Sequence, residues 1–299
     1  MRWGLYLTLP RSLIFTAMKK IIMLLVLVLI GFYVNAQWWN PETTDYDSVE
    51  YIVMYELTFK EDTTHLNWVR VEKQMLSIGT CKTISSYRAY NNYKFISQLI
   101  KESKKGAEAS LIWLQSGQLN AADFAYVGTY NIFKDFEKRK ITTDDHIFQR
   151  GSFTYEEPFD SFNWQITSKI DTIHNYVCQK AICDFGGRTW EAWFTMEIPI
   201  SDGPYKFCGL PGLILNVTDT QNHYSFNFLS IEKPAEPMMV YRVAKDRTKT
   251  TKEEFLKLQE RISKSISHVM SESISDEKVV QRAVESQHQK NNPIEIIDN

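Results

Sequence analysis

The sequence has little of what marks specialised chains. Its 34 basic and 36 acidic side chains leave a net charge of −2, so there is no basic excess to neutralise a phosphate backbone, and nucleic acid is not an expected partner. Only 12 glycines and 9 prolines occur in 299 residues, which excludes collagen-like and low-complexity chains. Four cysteines are too few for a small disulfide-stapled scaffold. There is no GxSxG elbow, no P-loop and no dinucleotide-binding glycine pattern, so the common signatures of acyl transfer and nucleotide chemistry are missing. The six histidines form no HxxxH or HxH pair that would bring two imidazoles to one metal. No catalytic residue, metal or cofactor is expected on these grounds. What the chain does have is 43% hydrophobic and 13% aromatic residues, enough for one sizeable core.

The first 36 residues read as targeting sequence. Met18, Lys19 and Lys20 form a positive start, 21–33 is an apolar run, and Val34-Asn35-Ala36 is a small-residue cleavage pattern. Thirteen apolar residues fall short of the roughly 20 that a spanning helix needs, so signal cleavage after Ala36 leaves no transmembrane anchor. Residues 1–17 read as an upstream extension before a true start at Met18. Cleavage removes Arg2, Arg11, Lys19 and Lys20 and no acid, taking the net charge from −2 to −6. The expected mature protein, 37–299, is exported and mildly acidic. In an oxidising compartment Cys81, Cys178, Cys183 and Cys208 could form two disulfides or stay as buried thiols. Cys178 and Cys183, five apart on one strand, face opposite ways and are not expected to pair with each other.

Most of the mature chain has strand periodicity. Over 49–59, Val49, Tyr51, Val53, Tyr55, Leu57 and Phe59 alternate with Glu50, Ile52, Met54, Glu56 and Thr58. Further strands are expected over 73–81, 124–136, 146–155, 162–170, 173–185, 188–198, 213–219, 223–231 and 238–243. Turn signals at Gly186-Gly187, Asp202-Gly203-Pro204 and 219–222 separate several of them. Short turns between consecutive strands imply antiparallel pairing. Two stretches look helical: 85–104, and a C-terminal helix opened by the capping box Thr251-Lys252-Glu253-Glu254 and carrying Phe255, Leu258, Ile262, Ile266 and Val269 on one face. Its continuation would run through Ile274, Val279, Val280 and Val284.

Candidates for chemistry are sparse. The acid pairs Asp144-Asp145 and Glu156-Glu157 place neighbours on opposite strand faces and read as solvated charge. On the strand 188–198, Trp190, Ala192, Phe194 and Met196 share one face and Glu191, Trp193, Thr195 and Glu197 the other. Trp193 is therefore either an exposed binding residue or one covered by a neighbouring element.

The unusual stretch is 201–215, rich in glycine, proline and aromatics, with Tyr205, Phe207 and Leu210 as apolar side chains in a loop that could line the mouth of a groove. Pro211 and Gly212 suit positions i+1 and i+2 of a type II turn, with Gly212 supplying a positive φ and Gly209 permitting close backbone approach. Leu213, Leu215 and Val217 then start the next strand. On this reading Gly212→Val damages folding while Tyr205→Ala leaves the fold nearly intact.

Gly209-Leu210-Pro211-Gly212-Leu213-Ile214 is letter for letter the motif that names the GLPGLI family. The chain also resembles that family at Tyr176-Val-Cys-Gln-Lys-Ala181, Gly187-Arg-Thr, Ala192-Trp-Phe, Ile198-Pro, Gly203-Pro-Tyr-Lys-Phe207 and Asn292-Pro293-Ile294-Glu295. Cys208 departs from the pattern, which expects a small residue such as glycine there. The resemblance implies a secreted protein of a Gram-negative bacterium, located in the periplasm or outside the cell, in a family of unassigned function.

The expected fold is therefore one mainly β (α+β) domain over 37–299, a curved antiparallel sheet with a C-terminal helix packed on it, similar to the half-barrels of periplasmic lipoprotein carriers. The expected function is non-enzymatic binding of an apolar or peptide-like ligand, or of an envelope protein, through Tyr205, Phe207, Leu210 and Trp193. Two alternatives stand beside it. One is a secreted hydrolase assembled from Asp219, His223, His174 and the cysteines. The other is a metal-handling protein using Cys178, Cys183 and His174.

Overall fold

A computed structural model describes residues 43–105, 130–147, 150–243, 246–273 and 292–296. The targeting sequence of 1–36, the first part of the expected strand 124–136 and the helix continuation at Ile274 to Val284 lie outside them. Thirteen strands form one open, curved sheet. They are β1 (Thr43–Lys60), β2 (Val69–Gly79), β3 (Ile84–Ala89), β4 (Asn131–Asp135), β5 (Lys140–Ile147), β6 (Gly151–Pro158), β7 (Gln165–Ile173), β8 (Tyr176–Phe185), β9 (Arg188–Thr195), β10 (Leu213–Asp219), β11 (Tyr224–Glu232), β12 (Met239–Val243) and β13 (Thr248–Lys249). The order across the sheet is β13-β6-β5-β4-β3-β2-β1-β11-β10-β9-β8-β7, with β12 paired to the start of β1. All pairs are antiparallel except β13 with β6. The mainly β fold is as the alternation and short turns predict.

The long strand β1 is the spine of the sheet because its alternation runs unbroken for most of its length. Val53, Tyr55 and Leu57 are buried on one face, matched across β2 by Leu76 and Gln74 and across β11 by Phe228 and Phe226. Trp190, Ala192 and Phe194 of β9 continue that face.

Two helices flank the sheet among the described residues: α1 (Tyr90–Ser103) and α2 (Lys252–Ser273). The expected helix over 85–104 is corrected at its start, since 85–89 belong to β3. Ser85, Ser86, Tyr87, Arg88 and Ala89 are all buried because both faces of this strand are covered, which hides the alternation. Ala89 caps α1 with no side-chain bond, so no N-cap residue marks the boundary. The strand expected over 146–155 is instead a hairpin, with β5 ending at Ile147 and β6 starting at Gly151. In α2 the capping box forms in full: the Glu254 amide donates to Thr251 Oγ1 (3.2 Å) and the Thr251 amide to Glu254 Oε2 (3.1 Å). Phe255 and Ile262 pack on Ile147, Phe153 and Tyr155, so the helix covers the β5–β6 end of the sheet. The hollow of the sheet is filled by something else.

Candidate functional site: the motif loop and its buried charges

The segment between β9 and β10, residues 196–212, folds back across the core face of the sheet. It is an irregular loop whose backbone groups are bonded partly within the loop and partly by side chains around it, as a buried loop requires. The amides of Phe207, Leu213 and Ile214 donate to Pro204 O (3.0 Å), Ile198 O (3.0 Å) and Asp202 O (2.9 Å). From β1 the Tyr55 hydroxyl donates to Ile214 O (2.8 Å), and from the connection just before β7 Trp164 Nε1 donates to Cys208 O (2.9 Å).

Two buried lysines hold the loop at either side. Lys134 of β4 is wholly buried and places its ammonium on Asp202 Oδ1 (2.6 Å), Gly203 O (2.7 Å) and Phe207 O (3.1 Å). All three of its donors are thereby used. Lys206, in the loop itself, is also wholly buried. It donates to Glu295 Oε1 (2.6 Å), to the Tyr155 hydroxyl (3.2 Å) and to Glu157. Lys252, at the start of α2, bridges the same two carboxylates. Two ammoniums and two carboxylates balance, which is the condition under which such charges can leave water. Burial alone would raise the Glu295 carboxyl, but the charges of Lys206 and Lys252 and their hydrogen bonds outweigh it and hold the group down at about 2. Burial likewise works to lower Lys206, and Glu295, Tyr155 and Glu157 together outweigh it and raise the group above the usual lysine value. A third buried pair, Arg188 Nη1 on Asp219 Oδ2 (2.9 Å), sits at the edge of the same core.

Three of the four sequence-predicted site residues are thus core residues. Tyr205, Phe207 and Leu210 are 5%, 0% and 1% exposed, so they do not form the mouth of a groove. Tyr205 stacks on Phe226 (6.2 Å) and meets Tyr130 edge-on (5.5 Å), while its hydroxyl donates to Glu295 Oε1 (2.5 Å). Phe207 contacts Trp190, Phe162 and Phe185. The apolar loop is the filling of the hollow that sequence reasoning assigned to a ligand. Tyr205→Ala, read from sequence as harmless, removes a buried ring and strands Glu295 short of a donor. Trp193 is half-buried, with the Lys180 ammonium 5.9 Å above its ring and Lys180 paired to Glu191 (2.7 Å). Met196, expected on the face of Phe194, is exposed past the end of β9, and Thr195 from the other face is buried.

The motif glycines exchange the roles expected of them. Gly209 holds the positive φ, +93°, with open space where a Cβ would stand. Gly212 lies outside the left-handed region, and a Cβ there would sit 2.0 Å from the carbonyl oxygen of Thr195. Leu213 and Ile214 are wholly buried, while Pro211 is exposed.

The acid pairs need the same kind of correction. Alternation sends one member of each pair out and the other in, as expected, yet the inward member is buried and paired rather than solvated. Asp144 accepts from Arg242 at 2.6 and 2.5 Å, and Glu157 from Lys206 and Lys252. The hydrolase candidates are dispersed or engaged. Asp219 gives one oxygen to Arg188 and the other to the amides of His223 (2.7 Å) and Tyr224 (2.8 Å). His174 lies in the β7–β8 turn, edge-on to Phe228. All four cysteines are free thiols. Burial pushes Cys178 up to about 11 and Cys183 and Cys208 up to about 12, which suppresses the nucleophilic thiolate. No group of three His, Cys, Asp or Glu side chains that could hold a metal ion exists among the described residues.

Sequence reasoning misses Lys134, Glu157, Arg188 and Glu295 as members of the buried network. A signal exists for Lys134, in Ile132-Phe133-Lys134-Asp135, and for Lys206, in Tyr205-Lys206-Phe207: a cation stands inside an aromatic or apolar run.

A family model described as "Protein of unknown function (Porph_ging)" matches residues 187–216, the stretch from Gly187 through β9 and the motif loop into β10. No curated protein matches. Among solved structures, the chain is similar to "Structure of PNGF-II in C2 space group", at 10% identity and a TM-score of 0.44 over 71% of this chain and 32% of that one. A second PNGF-II structure, in another space group, matches at 9% and 0.43 over 70% and 33%. An uncharacterized conserved protein from Thermus thermophilus matches at 6% identity and 0.31, over 67% of this chain and 90% of that one. The chain spans about a third of the length of the PNGF-II structures it matches.

Proposed function

We propose that this is an exported, non-enzymatic protein that binds an extended, peptide-like segment of an envelope partner along the β7 edge of its sheet. The observation that carries the reading is the open β7 edge. Among the described residues strand β7 pairs with β8 on one side only, so its other side faces an added strand, which would take over the amides of Lys169 and Thr172 from Thr167 Oγ1 (3.2 Å) and Asp171 Oδ1 (2.7 Å). Around it, Ile166, Ile170, Val177 and Met196 are 49%, 68%, 57% and 63% exposed. These apolar side chains supply the contacts that give strand addition its selectivity. The burial of the motif loop supports the same reading, since the hollow expected to take an apolar ligand is occupied by Tyr205, Phe207 and Leu210. The engaged oxygens of Asp219 and the raised thiols weigh against the hydrolase alternative, and the start over 18–36 supports export.

The test is a screen of the chain from Gln37 onwards against a displayed library of linear peptides. Enriched peptides are expected to bind at least about ten times more weakly to an Ile170→Lys, Val177→Lys double variant whose thermal transition is unchanged. Failure to enrich any peptide, or equal binding to the double variant, overturns the edge as the binding surface.

A further inference from the structure

The described end of the chain, residues 292–296, is held as a bound peptide is held. Its contacts come from five separate parts of the fold. Arg188 donates through Nη2 to Asn292 Oδ1 (2.5 Å) and Pro293 O (2.7 Å), and through Nε to Ile294 O (3.1 Å). The Tyr224 hydroxyl donates to Asn292 O (2.5 Å). Asn292 in turn donates from Nδ2 to Lys60 O (2.6 Å) and from its amide to Glu61 O (3.2 Å). The Glu295 carboxylate takes Tyr205, Lys206 and Lys252, and the Ile296 amide donates to Gly186 O (2.8 Å).

The site is shaped for that backbone. A Cβ on Gly186 would stand 2.9 Å from Glu295 Cγ and 3.3 Å from its Cα, and one on Gly187 would stand 2.8 Å from Ile296 Cβ. Both glycines also hold positive φ, +58° and +71°, so the turn between β8 and β9 is a shelf that only glycine provides. Along the segment, Asn292 and Glu295 are buried, Ile294 is half-buried, and Pro293 and Ile296 face out. Pro293 fixes its own φ and so lowers the entropy lost on docking. An amide and a carboxylate enter, each met by fixed partners, and Ile294 packs half-buried on the core between them, which defines a recognition pattern of Asn-Pro-x-Glu in which x is apolar.

We infer that Arg188, Tyr205, Lys206, Tyr224 and Lys252, with the Gly186-Gly187 shelf, form a peptide-binding site, filled in cis by residues 292–296, that accepts an Asn-Pro-x-Glu peptide in trans. This site is distinct from the β7 edge, and either can fail without the other.

The experiment uses the full chain with a protease recognition sequence inserted between residues 285 and 286, cut only after folding. The tail fragment is expected to stay bound through gel filtration and to exchange with a fluorescent peptide of residues 288–299. A Glu295→Gln competitor peptide is expected to be about 100-fold weaker than the native one, because it leaves the buried Lys206 and its neighbour Lys252 with Glu157 as their one remaining carboxylate. An uncut full-length Glu295→Gln chain, whose own tail is weakened, is expected to take up the labelled native peptide while the wild-type chain does not. Three results overturn the inference: loss of the fragment with no uptake of labelled peptide by a still-folded chain, equal competition by the Gln peptide, or unfolding of the chain on cutting. The last would make the tail part of the fold rather than a ligand of it.

Discussion

Lys206→Met is expected to lower the free energy of unfolding by about 3–5 kcal/mol, the range seen when one partner of a buried ion pair is removed. The methionine keeps the volume but leaves Glu157 and Glu295 buried with Lys252 as their remaining cation. The pH dependence follows from the same cluster. The folded-state value of Glu295 is held down at about 2, below the ordinary glutamate value of about 4.3. Its stabilisation is therefore complete above the unfolded value and is lost as the pH falls from about 5 towards 2. Lys206 is shifted the other way, upwards, so its contribution is complete below the ordinary lysine value and is lost only as the pH rises beyond it. In urea titrations the wild type is expected to weaken steeply on acidification. The Met variant is expected to start lower at pH 7 and to weaken less, because Glu295 keeps only Lys252 to hold its value down. A variant within about 1 kcal/mol of wild type at pH 7 would show that the cluster does not hold the loop.

Gly212→Ala is expected to cost about 3 kcal/mol or more, and Gly209→Ala about 1–2 kcal/mol. The two glycines of the motif obey different constraints. At Gly209 a methyl group has room, and only the positive φ is penalised. At Gly212 the methyl carbon would overlap the carbonyl of Thr195, a backbone atom of β9 that cannot turn aside as a side chain can. To relieve the overlap β10 must move away from β9, and the register from Leu213↔Thr195 through Asp219↔Trp190 is disturbed. Chemical denaturation of both variants checks the order. A larger loss at Gly209 than at Gly212 would restore the type II turn read from the sequence.

That exchange of roles illustrates what the sequence can and cannot convey. The strand β10, Leu213–Asp219, is legible to the residue, because a turn signal precedes it and Asp219-Thr220-Gln221-Asn222 closes it. The capping box at Thr251 and Glu254 is equally legible, being a local pattern with a local bond. The loop is recognisable as unusual, yet its place is not. Tyr205, Phe207 and Leu210 in a glycine- and proline-rich segment look exposed because loops ordinarily run over the surface. What buries them is Lys134, 68 residues upstream of Asp202, and Glu295, 89 residues downstream of Lys206. No window of sequence contains both partners of either pair. The acid pairs mislead for the same reason: alternation predicts which way Asp144 and Glu157 point, but Arg242 and Lys206 decide whether that side is wet or dry. In β3 the fault lies with periodicity itself, since a strand buried on both faces has none to display.

The claim from which the rest follows is that the motif loop is part of the core and not a surface available to ligands. Native-state hydrogen exchange of the amides of Phe207, Leu213 and Ile214 tests it directly. All three donate within the loop or to its ends, and the account predicts that they exchange only through global unfolding, as slowly as the centre of β1. Exchange of the Phe207 and Ile214 amides orders of magnitude faster than the amides of Val53 and Tyr55 would contradict it, and would make the loop an element that opens on its own.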